Sequence, residues 1–323
     1  MELQEFITFI EKELKEHYGK EAKVEHHQAY KNNGILLQGI CVLLKDKNIA
    51  PTIYLNDFYK EYKEGRQESE ILKHICSIID KSQLKNSFNI SFFLDYNTLK
   101  KNLVYRIINK KRNEELLKKV PYREIQDLAV VCHCLIETEE IGTGSILIHH
   151  HHLKNWGIEE EQLFLDTSVN SPVLEPCKIH KMSHLVREIL EESVERKVEE
   201  ICEEYPTNKE EFKENTLDLM VQEMEEGQIP MYVLTNSRRY YGAASLIYDN
   251  VMEKIGKLFN NDYYILPSSV HEVILLEKTQ EIQPKVLNEM IMDVNRTQVE
   301  EEEWLGDHAY FYCRKTRQLQ CVM

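Results

Sequence analysis

The apolar positions at the start of the chain repeat with the period of an α-helix. Residues three or four apart fall on one face of a helix. In the first 18 residues these positions are Leu3, Phe6, Ile7, Ile10 and Leu14. The pattern predicts an amphipathic N-terminal helix with one apolar face.

Strand-like runs follow this helix. They are "KVEHHQAY" and "ILLQGICVLL", separated by "KNNG". Asn-Gly between two apolar runs is typical of a hairpin turn. The segment "TIYLNDFYKEY" comes next, and Ile71, Leu72, Ile75 and Ile79 then resume helical spacing. The sequence therefore predicts a helix, a small β-meander and further helices over residues 1–84.

Two later stretches mix both periodicities. In residues 85–175, the runs "LVYRIIN", "DLAVVCHCLIE" and "SILIHHHHL" predict strands, while "NEELLKKV" and "GIEEEQLFLDTSV" predict helices. In residues 230–323, "MYVLTN", "DYYILP" and "VHEVILLE" predict strands, Leu246 and Ile247 begin a helical pattern, and Pro284 suits the first turn of another helix. The runs "AYFYCR" and "LQCVM" predict a terminal hairpin. We expect two mixed α/β blocks with small sheets.

The stretch between them, residues 176–229, is acidic and helical in its spacing. Pro206 and Thr207 interrupt the pattern, and Gly227 and Pro230 end a second helix. The complete prediction is an α+β fold. An acidic helical segment joins two mixed α/β blocks, and an N-terminal helix and β-meander precede them.

The charge of the chain argues against a general nucleic-acid binder. The 323 residues carry a net charge of -15, whereas binding to phosphates requires a basic surface. The compact basic run "NKKRN" at 109–113 is typical of a solvated helix face. We expect no nucleic-acid partner.

Hydropathy and cysteine usage predict a cytoplasmic protein. No run approaches the ~18 apolar residues of a membrane span, so no membrane partner is expected. The start, "MELQEFITFIEKELKEHY", lacks the basic and apolar regions of a signal peptide. The eight cysteines form no CxxC pair, which favours reduced thiols.

Several of these segments together resemble a known family. They include "PTIYLNDFYKEYKEG", "NWGIEEEQL", "YILPSSVHEVI" and "VNRTQVEEEEWL". In this order they resemble an uncharacterised family of clostridial bacteria, the domain of unknown function numbered five-six-eight-eight. The middle and last blocks also resemble the uncharacterised family typified by the bacillus protein YtpQ. The resemblance implies a soluble bacterial protein that folds as one piece, and it implies no activity, ligand or cofactor.

The segment "YYILPSSVHEVILLE" holds the candidate catalytic residues, Ser268, Ser269, His271 and Glu272. The zinc-protease pattern H-E-x-x-H is excluded, because Leu275 stands at the second histidine position. On an extended strand Ser269 and His271 share a face, and Glu272 points the other way. A catalytic triad would need a third group from elsewhere and an oxyanion hole. Alternatively, the serines satisfy backbone groups at the entry of a strand.

Cysteines and histidines in two predicted strands are the candidate metal ligands. Cys132 and Cys134 share one strand face, and so do His149 and His151 in the run of four histidines that ends at His152. Paired strands would bring them together as ligands that zinc accepts. Alternatively, the histidine run is an exposed strand end with a weak affinity for metals.

A possible anion site precedes the helical pattern that begins near Leu246. Asn236, Arg238 and Gly242 lie in "LTNSRRYYGAAS", and a loop that feeds a helix N-terminus offers free backbone N–H groups. No glycine-rich phosphate motif is present, so a plain turn is the alternative.

Three functional hypotheses follow. The favoured one is a non-catalytic binding or regulatory protein whose helical segment 180–226 docks a protein partner. The second is an enzyme of unrecognised type with a pocket near Ser268, Ser269, His271 and Asn236. The third is a metal-binding protein that uses Cys132, Cys134 and the histidine run.

Overall fold

The computed structural model describes residues 1–45, 47, 50–81, 91–138, 142–204, 208–226, 229–280 and 282–322. Its helices are α1 (Leu3–Tyr18), α2 (Leu55–Lys63), α3 (Glu68–Lys81), α4 (Ser91–Leu94), α5 (Tyr96–Leu99), α6 (Glu114–Leu117), α7 (His150–Trp156), α8 (Glu160–Leu174), α9 (Met182–Glu204), α10 (Lys209–Glu225), α11 (Val251–Phe259) and α12 (Pro284–Gln298). Its strands are β1 (Ala22–Tyr30), β2 (Leu36–Leu44), β3 (Thr52–Tyr54), β4 (Leu103–Asn109), β5 (Tyr122–Ile125), β6 (Leu128–Thr138), β7 (Gly142–Leu147), β8 (Cys177–Lys181), β9 (Met231–Asn236), β10 (Tyr263–Leu266), β11 (Val273–Glu277), β12 (Tyr310–Cys313) and β13 (Gln318–Cys321).

The chain forms two compact units, each built from three separate stretches. The first unit comprises Met1–Leu103, Arg112–Pro121 and His133–Glu160. The second comprises Val104–Lys111, Tyr122–Cys132 and Glu161–Met323. The sequence boundaries near residues 84, 175 and 229 stay predictions.

In the first unit, α1 packs on an antiparallel sheet in the order β1-β2-β3. The side chains that α1 buries there are Phe6, Ile7, Ile10 and Leu14. The sheet contributes Val24, Ile40, Val42 and Ile53 to the same core. The predicted N-terminal helix and meander are confirmed, because the apolar stripe of α1 matches the inward face of the sheet.

The second unit contains an antiparallel six-stranded sheet in the order β13-β12-β10-β11-β9-β8. Helix α12 covers part of it, and it buries Leu287 and Ile291 against Tyr264, Leu266 and Leu276. Pro284 is the first residue of α12, as predicted. In the same unit β5 pairs with Leu128–Val131 of β6 across the two-residue turn Gln126–Asp127.

The α+β fold is confirmed, and four local predictions are corrected. The histidine run begins α7 instead of ending a strand, because His152 and Trp156 stand one helical turn apart and their rings pack together, with centroids 5.4 Å apart. Strand β11 starts at Val273, three residues later than predicted. Leu246 and Ile247 lie in a 3₁₀ turn, and α11 starts only at Val251. Strand β8 lies inside the stretch predicted to be helical.

The acidic stretch is otherwise helical, as α9 and α10. The predicted interruption at Pro206 and Thr207 and the predicted helix end at Gly227 lie outside the described residues. Among the described helices, none has a stretch apolar and long enough to cross a bilayer.

Candidate functional site

A strained loop follows the buried strand β9. It comprises residues 237–241. Gly242 follows and is the first residue of a 3₁₀ turn. Arg239 (φ 53°) and Tyr241 (φ 51°) both adopt left-handed backbone conformations. These conformations are unfavourable for bulky side chains and persist only where the surroundings enforce them. Groups from neighbouring segments hold this loop, which we call the 237–241 loop.

Asn236 holds the first half of the 237–241 loop. Its Oδ1 accepts hydrogen bonds from the backbone N–H groups of Arg238 (3.0 Å) and Tyr240 (3.3 Å). Its Nδ2 donates to the carbonyl oxygen of Tyr240 (2.9 Å) and to Glu175 Oε2 (3.4 Å). Asn236 is buried. This residue, a ligand-binding candidate in the sequence, therefore has its amide engaged inside the protein.

His271 holds the second half. Its Nδ1 lies 3.0 Å from the backbone nitrogen of Tyr241, and its Nε2 lies 3.0 Å from Glu303 Oε1. An amide N–H can only donate, so Nδ1 is the acceptor, and this network assigns the ring proton to Nε2. The imidazole also packs on the ring of Tyr240, with centroids 5.0 Å apart. Both ring nitrogens are thus engaged in fixing the loop.

Gly242 is required by close packing. A Cβ at this position would lie 2.2 Å from Thr235 Oγ1, 2.5 Å from the nitrogen of Asn236 and 2.7 Å from the carbonyl oxygen of His271. Thr235 Oγ1 itself donates to that carbonyl at 2.8 Å. The glycine therefore lets the loop return against both neighbouring segments.

Of the two serine candidates, Ser269 contacts His271, through the backbone of the histidine. Ser269 Oγ accepts a hydrogen bond from the His271 N–H at 3.0 Å, and Ser269 is buried. Ser268 donates its own N–H to the carbonyl oxygen of Leu266 at 2.9 Å, and the Glu272 carbonyl oxygen accepts from the Ser269 N–H at 3.3 Å. The structure thus brings Ser269, His271 and Asn236 to one loop, but the imidazole nitrogens serve Tyr241 and Glu303.

A buried ion pair lies against the 237–241 loop. Arg106 and Glu175 form two parallel hydrogen bonds, Nη1 to Oε2 at 2.5 Å and Nη2 to Oε1 at 2.9 Å, and their side chains are 1% and 0% exposed. The guanidinium lies 5.1 Å from the ring centroid of Tyr241, and Glu175 accepts from Asn236. Sequence reasoning missed this pair. Its one signal is Arg106 itself, a charged residue inside the apolar run "LVYRIIN".

The 237–241 loop presents an aromatic and a basic side chain. Tyr240 is 54% exposed, and Arg239 is exposed beside α9, where its Nη2 lies 2.8 Å from Glu188 Oε2. Burial raises the pKa of the Tyr241 hydroxyl to about 12. Chemically, this is a surface of hydrogen-bonding and aromatic groups on a loop, where binding residues are often found.

Helices α9 and α10 form an antiparallel pair with its own small core, which we call the helical hairpin. Val194 and Val198 of α9 pack on Leu217 of α10. Ion pairs cross between the helices. Arg187 binds Asp218 and Glu214, and Lys213 lies 3.3 Å from both Glu191 and Glu195. The hairpin is therefore held together by contacts between its own two helices. The side chains on its outer faces are not needed for this.

A cavity of about 110 Å³ lies at the foot of the helical hairpin, where α9 and α10 meet β8 and β9. Its apolar lining among the described residues is Met182, Met224, Ile229, Pro230 and Met231. An ion pair between Lys181 and Glu225, 2.6 Å long, borders it. This ion pair and the Ser183 hydroxyl lower the pKa of Glu225.

The structure places the candidate metal ligands from the sequence in different environments. Cys132 and Cys134 are fully buried, and burial raises the pKa of each thiol to about 12. His149 caps α7, and its backbone N–H donates to His152 Nδ1 at 3.0 Å. Among the described residues, these cysteines and histidines do not form a set of three convergent ligand atoms.

Comparison with known proteins identifies the family. No curated protein and no solved structure matches the chain. A family model described as "Family of unknown function (DUF5688)" matches residues 3–314. This span contains the 237–241 loop, the groups that hold it and the helical hairpin. The chain therefore belongs to the family of unknown function DUF5688.

Proposed function

We propose that this chain is a non-catalytic binding protein of the bacterial cytoplasm, and that a basic protein partner docks on the helical hairpin. One observation carries the proposal. The hairpin is fastened by its own core and ion pairs, yet it leaves Ile189 75% exposed and Leu219 60% exposed. These two exposed side chains, one on each helix, supply the apolar contacts that the proposed partner would use.

The charge of the hairpin selects the partner. Between His180 and Glu226 the sequence has fifteen Asp and Glu residues against six Lys and Arg, so this segment supplies nine of the chain's fifteen net negative charges. The interhelical ion pairs already engage Arg187 and Lys213. An acidic surface attracts and orients a basic partner, and Ile189 and Leu219 offer it apolar contacts.

Two neighbouring features suit the same interaction. The cavity at the foot of the hairpin is lined by methionines, whose flexible side chains adapt to an inserted apolar group. The 237–241 loop places Arg239 beside Glu188 of α9 and leaves the adjacent Tyr240 exposed. Tyrosine and arginine are the residue types most enriched at interface hot spots.

The non-catalytic part of the proposal is supported by His271. A general base needs a ring nitrogen that can take the proton of a nucleophile. In His271, Nδ1 accepts from Tyr241 and Nε2 donates to Glu303. The cytoplasmic part is supported by the cysteines, since the seven that the structure describes are all free thiols, as expected in a reducing compartment.

The test compares three baits in the lysate of the organism that encodes the chain. They are the unmodified protein, the double variant Ile189→Ser/Leu219→Ser, and the control Leu258→Ser. Leu258 is 61% exposed on α11, so the control removes a similar apolar side chain elsewhere. We expect a basic protein that the unmodified chain and the control enrich equally and that the double variant enriches at least about tenfold less, about 1.4 kcal/mol.

That protein is then purified and titrated directly against the three baits. Binding that is direct, loses affinity in the double variant and weakens with added salt supports the proposal. Identical enrichment by all three baits, or direct binding that is insensitive to salt, overturns the assignment of a basic partner to the hairpin.

A further inference from the structure

We propose that Asp127, His308 and Cys321 form a zinc-binding site. The three residues come from distant parts of the second unit. Asp127 lies in the turn between β5 and β6, His308 precedes β12, and Cys321 is the last residue of β13. One ligand atom from each lies within 4.8 Å of the other two. Among the described residues this is the only such set of three.

The spacing of the ligand atoms fits a tetrahedral ion. Asp127 Oδ1 lies 3.5 Å from His308 Nε2 and 3.8 Å from Cys321 Sγ. Bonds of about 2.0–2.3 Å at tetrahedral angles separate ligand atoms by about 3.3–3.8 Å. The distance between His308 Nε2 and Asp127 Oδ1 is long for an N–H···O hydrogen bond. An ion at the centre would therefore need only small side-chain adjustments.

His308 is oriented as a metal ligand. Its Nδ1 lies 2.9 Å from Asp307 Oδ1, and because a carboxylate only accepts hydrogen bonds, Nδ1 carries a proton. Nε2 is buried and faces Asp127 Oδ1 at 3.5 Å, so an ion bound between them would take the place of a proton on Nε2. A carboxylate on the far nitrogen is the usual support of a metal-binding histidine.

The other ligands are also supported. The hydroxyl of the buried Tyr310 donates to Asp127 Oδ1 at 2.6 Å, which fixes the carboxylate. Gln126 Nε2 donates to the carbonyl oxygen of Leu319 at 2.8 Å, which holds the turn against β13. Each ligand is only partly buried, so an ion can reach the site from solvent.

The donor set selects the metal. Thiolate, imidazole and carboxylate together suit Zn²⁺, whereas Mg²⁺ and Ca²⁺ prefer oxygen ligands alone. Three protein ligands leave a fourth position for water. Because the site joins the β5–β6 turn to the β12–β13 hairpin, binding would also stabilise the folded second unit.

The experiment titrates the metal-free chain with Co²⁺, a spectroscopic substitute for Zn²⁺, and follows the thiolate-to-cobalt charge-transfer absorption. Competition with Zn²⁺ then gives the zinc affinity. We expect one ion per chain, a charge-transfer band, and a rise in the melting temperature with Zn²⁺. The variants Cys321→Ser and His308→Gln should lose the band, and Asp307→Asn should weaken binding by at least about tenfold.

Two controls separate this site from other ligands. Cys313→Ser removes another partly exposed thiol from β12, and His149→Gln/His151→Gln removes histidines of the α7 run. Both should keep the band and the affinity. A band that survives Cys321→Ser, one that disappears in a control, or the absence of any band at saturating Co²⁺ overturns the proposal. Circular dichroism of each variant verifies that the fold is intact.

Discussion

The imidazole of His271 accepts a hydrogen bond, 3.0 Å long, from the backbone N–H of Tyr241, a residue held at φ 51°. A non-glycine residue in this region is strained, and the acceptor of its N–H comes from a segment 30 residues away. The bond therefore ties the conformation of an exposed loop to the loop between β10 and β11.

Replacing His271 with Ala should loosen the 237–241 loop. The Tyr241 N–H would lose its partner, at a cost of about 1–3 kcal/mol. We expect trypsin to cleave the native protein faster after Arg238 or Arg239, as mass spectrometry of the first fragments would detect. Ser268→Ala is the control and should leave the cleavage rate unchanged. Equal rates for His271→Ala and the parent would contradict the role assigned to the imidazole.

Gly242→Ala should destabilise the second unit by about 2–3 kcal/mol, because the new methyl group would overlap Thr235 Oγ1 and two backbone atoms. Gly144→Ala is a matched control, since a Cβ there meets nothing within 4 Å. Urea denaturation followed by circular dichroism measures both. The idea fails if the two substitutions have the same small effect.

Breaking the buried ion pair from one side should cost more than removing it entirely. Arg106→Met or Glu175→Leu alone leaves a buried charge without its partner, at about 3–5 kcal/mol. The double variant Arg106→Met/Glu175→Leu replaces both by apolar groups and should lose less than either single variant. Equilibrium unfolding of the three variants forms the test, and strictly additive losses would argue against a coupled pair.

The stability of the first unit should fall as the pH drops from about 6.5 to 4. Burial, and then the neighbouring His151 and His149, lower the pKa of His152 to about 4. The folded protein thus binds fewer protons than the unfolded chain in this window, so neutral His152 contributes stability above pH 6.5 that is lost on acidification. The partly solvated ring makes the contribution about 1 kcal/mol.

His152→Gln isolates this effect, because glutamine keeps a hydrogen-bonding group near the start of α7 but does not titrate. Urea unfolding at pH 5 and pH 7.5 should show a smaller difference in this variant than in the parent. The exposed His17→Gln of the same unit serves as control. If His152→Gln leaves the difference in stability between pH 5 and pH 7.5 unchanged, His152 is not the source of the pH dependence.

The sequence predicts those structural features that are determined by residues close together along the chain. The apolar stripe of α1, the Asn-Gly turn before β2 and Pro284 at the start of α12 are all local signals, and the structure agrees with each. The four histidines misled because a run of identical residues shows no alternation, whereas Leu153 and Trp156, three residues apart, have the spacing of a helix. Strand β8 was missed because its five residues, "CKIHK", are short and largely polar.

The sequence predicted which residues belong to the candidate site, but not the contacts that they make. Asn236, Gly242, Ser269 and His271 all lie at the 237–241 loop, but their chemical roles depend on partners from elsewhere in the chain. Glu303 is 32 residues from His271, and Arg106 is 69 residues from Glu175. Such pairings depend on the order of strands in the sheets, which a local pattern does not encode.

The interleaving of the two units governs how the chain folds during synthesis. The first unit has all its residues once Glu160 has left the ribosome. The early pieces of the second unit must wait, because Asp127 meets Tyr310 only 183 residues later, and Asn109 meets Leu305 after 196. At about 5–20 residues per second, these two contacts form roughly 10–40 seconds after their first residues are made. The second unit therefore stays incomplete for that time, and we expect the yield of folded protein to depend on chaperones.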